Sequence, residues 1–122
     1  MDAKQCRAAK NLVILGGGTA GTMIANKLRH RLDRTDWNIT VVDRDDEHHY
    51  QPGYLFVPFG EYSREQIVKT RRAVLPDGVD FVVDSIDKVE PAENEVLLDG
   101  GRRLAYDQLV IASGTTPRPD QT

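Results

Sequence analysis

The chain has 122 residues, 39% hydrophobic and 29% charged, with a formal net charge of -3. That size allows one domain with a packed core, and the acidic balance excludes the basic footprint of a nucleic-acid-binding domain. The single cysteine, Cys6, excludes an internal disulfide or dithiol centre, and no apolar run approaches the roughly 20 residues of a membrane-spanning helix. The N-terminal segment has neither the apolar stretch nor the small-residue cleavage site of a secretory signal, so the expected compartment is the cytoplasm.

In chain order, Asn11 to Leu15 (NLVIL) is a continuous apolar run ended by glycines, the pattern of a strand buried on both faces of a parallel sheet. From Ala20 onward, Ala20, Ile24, Leu28 and Leu32 recur every four residues and predict a helix with one buried stripe. Lys27, Arg29 and Arg31 lie between them, near the end where basic charge suits the helix dipole. Asn38 to Asp43 (NITVVD) predicts a second strand, completing a βαβ unit of about 30 residues.

The segment DRDDEHHYQPGYLFVPFGEYS has no clear period. Ser63 predicts the cap of a helix reaching about Val74, with Glu65 and Gln66 in its first turn, and Pro76-Asp77-Gly78 ends it. Short strands are expected over Val79 to Val83, Ile86 to Glu90, Glu95 to Leu98 and Arg102 to Leu104. They are separated by Pro91 to Asn94 and by the hairpin signal Asp99-Gly100-Gly101. Gln108 to Ser113 (QLVIAS) reads as another buried apolar strand.

Gly16-Gly17-Gly18-Thr19-Ala20-Gly21 matches G-x-G-x-x-G. Alone the pattern is weak, and a glycine-rich turn without a ligand is the competing reading. Here it follows a predicted strand, opens a predicted helix, and is followed about 20 positions later by Asp43 at the end of the next strand, the context of a dinucleotide fingerprint. Gly16 would permit the tight turn, Gly18 the close approach of backbone to a diphosphate, and Gly21 the packing of helix on strand. The diphosphate would sit on backbone N–H groups of residues 18–21 at the positive end of the helix, with Thr19 and Ala20 in its first turn. Asp43 would accept from ribose hydroxyls and repel a 2′-phosphate. The fingerprint does not separate FAD from NAD.

Near the C-terminus, Tyr106-Asp107-Gln108-Leu109-Val110-Ile111-Ala112-Ser113-Gly114-Thr115-Thr116-Pro117 resembles the Y-D-x-L-V-I-A-T-G-x-x-P signature of the two-dinucleotide-binding-domain flavoproteins, with Ser113 at the usual threonine. That superfamily includes the pyridine nucleotide-disulfide oxidoreductases, type II NADH dehydrogenases and sulfide:quinone oxidoreductases. The resemblance implies an α/β fold, a Rossmann-like FAD/NAD(P)-binding domain whose parallel sheet carries a three-stranded antiparallel excursion. Residues 1–10 would form a tail, 11–114 the nucleotide-binding domain and 115–122 a linker. It also implies FAD as cofactor, with Ser113 and Gly114 close to the diphosphate.

Within the superfamily, Tyr50-Gln51-Pro52-Gly53-Tyr54-Leu55-Phe56 is similar to a segment of sulfide:quinone oxidoreductases that lies beside the isoalloxazine, which implies flavin contact by Gln51 and Pro52. Anchoring of the loop on the core is the competing reading for the aromatic residues. The stretch from Val83 to Ile86 would pass the adenine, with the Ile86 backbone or a near neighbour in contact. Arg44 would flank the adenine or remain a solvated surface charge.

His48 and His49 are adjacent and lack a third ligand at metal spacing, so no metal or catalytic role is assigned to them or to Asp45, Asp46 and Glu47. A second glycine fingerprint and a redox cysteine pair, expected in relatives, do not occur in these 122 residues. The expectation is therefore an incomplete domain, inactive alone and prone to self-association. Its parent would pass electrons through FAD from sulfide, or from NADH, to a quinone, at the inner face of a membrane. A type II NADH dehydrogenase or other reductase fragment, and a non-catalytic nucleotide-binding module, are the alternatives.

Overall fold

The computed structural model describes residues 9–49 and 68–114, together with Pro58 and Gly60. The predicted first strand is β1 (Lys10–Leu15), followed by helix α1 (Thr19–Arg31) and β2 (Trp37–Asp43). A short ribbon of β3 (Glu47–His49) and β4 (Val68–Thr70) comes next, then a single helical turn, α2 (Arg71–Val74). The remainder is β5 (Val79–Val83), β6 (Ile86–Glu90), β7 (Glu95–Leu98), β8 (Arg103–Ala105) and β9 (Gln108–Ile111).

Four strands form a parallel sheet in the order β5-β2-β1-β9, and β6-β7-β8 form a separate antiparallel sheet. Side chains of one strand alternate between faces, and this explains why β1 is apolar at every position from Leu12 to Leu15. Leu12 and Ile14 join Ile39, Val41, Val79 and Ala25 in a cluster on the α1 side. Val13 and Leu15 join Val42, Val96 and Leu98 in a second cluster on the other side, with Ile86, Leu104 and Tyr106 packed against it. The parallel sheet is thus the middle of three layers, and each of its inner strands needs apolar residues on both faces.

The antiparallel sheet is tied to the parallel one at its first corner. Asp84 N–H donates to the Asp43 carbonyl (2.9 Å), and the Asp84 carboxylate accepts from Ser85 N–H (2.7 Å) and Gly100 N–H (3.2 Å). At the return, Asn11 N–H donates to the Asp107 carboxylate (2.6 Å) while Asp107 N–H donates to the Asn11 carbonyl (2.7 Å). Tyr106 packs into the second cluster. The Tyr-Asp pair before β9 therefore sets the register of that strand on β1.

The helix differs from its predicted stripe. Ala20 is exposed, and the buried positions are Gly21, Thr22, Ala25 and Arg29, flanked by Ile24, Leu28 and Leu32. Gly21 causes the rotation: its bare Cα faces the Gly16 carbonyl and the Ile14 side chain, which fixes the side of the helix that meets the sheet. Arg29, expected among the basic residues suiting the dipole, is 5% exposed. Its guanidinium donates to the carbonyls of Gly78 (3.0 Å), Leu32 (3.2 Å) and Trp37 (3.2 Å), joining the end of α1 to the starts of β2 and β5. Arg29→Met leaves those carbonyls short of donors. Hydrogen bonds from charged groups contribute about 1.5–3 kcal/mol each, so the expected loss is roughly 2–4 kcal/mol in urea unfolding, and Arg29→Lys, with one nitrogen, does not restore it.

The helix predicted from Ser63 to Val74 is corrected. Within the described residues, 68–70 pair antiparallel with 47–49, and helix runs from Arg71 to Val74. β-branched Val68 and Thr70 favour the extended form, and Thr70 supplies a cap to α2, its Oγ1 accepting from Ala73 N–H (3.3 Å). Ser63, Glu65 and Gln66 lie outside the described residues. The strand expected over Arg102 to Leu104 runs one residue later. The strand expected to be buried over Gln108 to Ser113 stops at Ile111, which is 69% exposed, because β9 is an edge strand.

Candidate functional site

Parallel strands bring their carboxyl ends to one edge of the sheet, and in such sheets ligands bind beyond that edge. Gly16 to Gly18 leave β1 there, Asp43 and Arg44 leave β2, Val83 and Asp84 leave β5, and Ala112 to Gly114 leave β9. The structure thus gathers Gly16, Gly18, Thr19, Ala20, Gly21, Asp43, Arg44, Ser113 and Gly114 at one edge.

The three fingerprint glycines differ in what they face. Gly16 has φ +109, and a Cβ there would collide with the Ala112 carbonyl and lie 2.9 Å from Ser113 Cα. A Cβ on Gly21 would collide with the Gly16 carbonyl oxygen. These two are glycine because the protein's own backbone occupies the space. Gly18 has φ -75, a conformation open to any residue, and a Cβ there would meet nothing within 4 Å. Nothing among the described residues requires glycine at 18. The bare backbone at Gly18 faces open space.

That space lies at the start of α1, which has no side-chain cap and no acidic residue in its first turn. The N–H groups of Thr19, Ala20 and Gly21 have no partner among the described residues, as the first intrahelical bond is Thr22 N–H to the Gly18 carbonyl (2.9 Å). Such a turn favours an anion. Asp43 stands beside it, one carboxylate oxygen accepting from Gly17 N–H (2.7 Å) and the other from Arg44 N–H (2.7 Å). The set matches an ADP group: amides for a diphosphate, room for close approach, and an acid for ribose hydroxyls.

Arg44 is exposed. Ser113 and Gly114 are exposed at the end of β9, and Gly114 has φ +75. Ile86 is placed differently from its neighbours, since its side chain packs into the second apolar cluster. Val83, within the same stretch and level with Asp43 in the sheet, is 55% exposed. Gln51 and Pro52 lie outside the described residues. Thr22, 8% exposed with its hydroxyl donating to the Gly17 carbonyl (3.1 Å), was not anticipated. The signal was a polar side chain beside Gly21 on the face that glycine turns inward. Among the described residues no group of three or more His, Cys, Asp or Glu could hold a metal, and no helix is long and apolar enough to cross a membrane.

Comparison with known proteins follows the same lines. The family model described as pyridine nucleotide-disulphide oxidoreductase matches residues 10–120. A mitochondrial sulfide:quinone oxidoreductase of Dictyostelium discoideum is 35% identical over 114 residues, covering 91% of this chain and 25% of that protein. A type II NADH:quinone oxidoreductase of Staphylococcus epidermidis is 30% identical over 107 residues, covering 86% of this chain and 26% of that protein. Among solved structures, the sulfide:quinone oxidoreductase of Aquifex aeolicus superposes with a TM-score of 0.77 at 26% identity, covering 88% of this chain and 25% of that one. The chain spans about a quarter of the length of the relatives it matches.

Proposed function

Because the chain belongs to the pyridine nucleotide-disulphide oxidoreductase family, we propose that it is the FAD-holding N-terminal segment of a flavoprotein oxidoreductase of the sulfide:quinone type. Relatives in this family are FAD-binding flavoproteins. The observation that carries the reading is Gly18: its bare face is open while the two other fingerprint glycines are enclosed by the protein's own backbone. In this reading the amides of residues 18–21 hold the diphosphate, Asp43 holds the ribose, and the exposed edge at Val83 takes the adenine.

When bound, FAD supplies a ring that takes up a pair of electrons from a donor and releases them to an acceptor. The chain's residues bind and orient. The uncapped helix start attracts the diphosphate, and the Asp43 carboxylate accepts from the 2′- and 3′-hydroxyls while disfavouring a 2′-phosphate by like charge. With Cys6 as its one cysteine, the chain has no dithiol of its own, so its role is nucleotide binding and not sulfide oxidation. The donor in the whole protein is sulfide and the acceptor a quinone, by likeness to the D. discoideum and A. aeolicus proteins. The S. epidermidis relative supports a second reading, with NADH as donor.

Calorimetric titration tests the binding role. Heat is expected with FAD and with ADP, and a much weaker response with the 2′-phosphorylated analogue of ADP-ribose than with ADP-ribose itself. A chain that takes up none of these nucleotides would rule the reading out.

A further inference from the structure

The hydroxyl of Thr22 is buried, yet in the nucleotide-binding reading it touches no nucleotide. Thr22 is 8% exposed, and its Oγ1 donates to the Gly17 carbonyl (3.1 Å) while its N–H donates to the Gly18 carbonyl (2.9 Å). Two successive carbonyls of the loop are therefore drawn to one residue of α1. Threonine in a helix ordinarily returns its hydroxyl to the carbonyl three or four residues back. Here the acceptor lies five back, in the loop before the helix.

The consequence follows from peptide geometry. Among the described residues there are no cis peptide bonds, and in a trans peptide the C=O of one residue and the N–H of the next point in opposite directions. With the Gly17 carbonyl turned toward Thr22, the Gly18 N–H is turned away from it, out of the helix. Gly17 is also held from its other side, its N–H on the Asp43 carboxylate (2.7 Å). A rotated Gly17–Gly18 peptide would aim the negative end of a carbonyl where the N–H now points, and an anion there would be repelled.

We propose that Thr22 is a positioning residue for diphosphate binding, its hydroxyl holding the Gly17–Gly18 peptide so that the Gly18 N–H is presented to the phosphate oxygens. This rests on the nucleotide-binding reading above and adds a residue to it. An apolar residue of the same shape would fill the same space against the sheet but would remove the hydroxyl that donates to the Gly17 carbonyl.

The test compares Thr22→Val, which keeps shape, with Thr22→Ser, which keeps the hydroxyl, in the full 122-residue chain. ADP affinity is read by calorimetry well below the melting temperature, and the Gly18 amide resonance by NMR. Thr22→Val is expected to weaken ADP binding about fivefold, the equilibrium equivalent of one neutral hydrogen bond, and to move the ligand-free Gly18 amide resonance. Thr22→Ser is expected to bind within about twofold of the unaltered chain. In the unaltered chain, ADP should shift the Gly18 amide. If ADP binds and Gly18 does not respond, or if Thr22→Val lowers only the melting temperature, the role of Thr22 is overturned and the nucleotide reading stands. If the unaltered chain binds no ADP, both fall. Should Thr22→Val fail to fold, the Gly18 response of the unaltered chain still decides.

Discussion

Gly21→Ala is expected to lose most of the folded state. The added Cβ would overlap the Gly16 carbonyl oxygen and press on the Ile14 side chain at 3.3 Å. The oxygen belongs to backbone at the turn out of β1, a residue that is itself held by Gly16 N–H on the Val42 carbonyl (2.8 Å). Neither side can yield without separating α1 from the sheet, and that contact organises the cluster of Leu12, Ile14, Ala25, Ile39, Val41 and Val79. Overpacking costs about 1–3 kcal/mol and more where backbone must move, so a loss of at least about 3 kcal/mol is expected. In a domain of this size that is a fall of roughly 10–20 °C in melting temperature. Thermal unfolding followed by circular dichroism measures it, and a melting temperature within a few degrees of the unaltered chain would refute the packing account of this glycine.

Gly18→Ala should do the reverse, leaving the fold and removing the ligand. Alanine adopts φ -75 without strain, and its methyl group would meet nothing within 4 Å. Stability should hold or rise by about 0.4–1 kcal/mol, because alanine restricts the unfolded chain more than glycine does. The same methyl group stands where the diphosphate must approach the backbone. ADP affinity is therefore expected to fall at least about tenfold, some 1.4 kcal/mol. Calorimetry on the variant beside its melting curve gives both quantities. Unaltered ADP affinity in a stable Gly18→Ala chain would mean that the open face is not the binding face.

The contrast between these glycines shows how far the sequence could be read. The spacing G-x-G-x-x-G, the strand before it and Asp43 after it are local, and the βαβ unit they predict is the one observed. The strands β5, β6 and β7 and the hairpin at Asp99-Gly100-Gly101 were equally legible, since each combines β-branched residues with a turn signal. What was not legible depends on contacts distant in sequence. The buried side of α1 is set by Gly21 against Gly16, so counting apolar residues placed Ala20 inward when it faces out.

Arg29 reads as a surface charge until the carbonyls of Gly78, Leu32 and Trp37 are seen to converge on it. The strand at Val68 to Thr70 is completed by pairing with Glu47 to His49, a contact distant in sequence. The expected adenine contact is with the Ile86 backbone or a near neighbour; what local pattern did not show is that the Ile86 side chain packs into the second cluster while Val83 is exposed level with Asp43.

The most direct test is a crystal structure of this chain grown with ADP. The expected result places diphosphate oxygens at hydrogen-bond distance, about 2.7–3.2 Å, from the amide nitrogens of residues 18–21, with the ribose hydroxyls on the Asp43 carboxylate. ADP bound away from the carboxyl ends of β1 and β2, or bound with its phosphates directed off the start of α1, would contradict it.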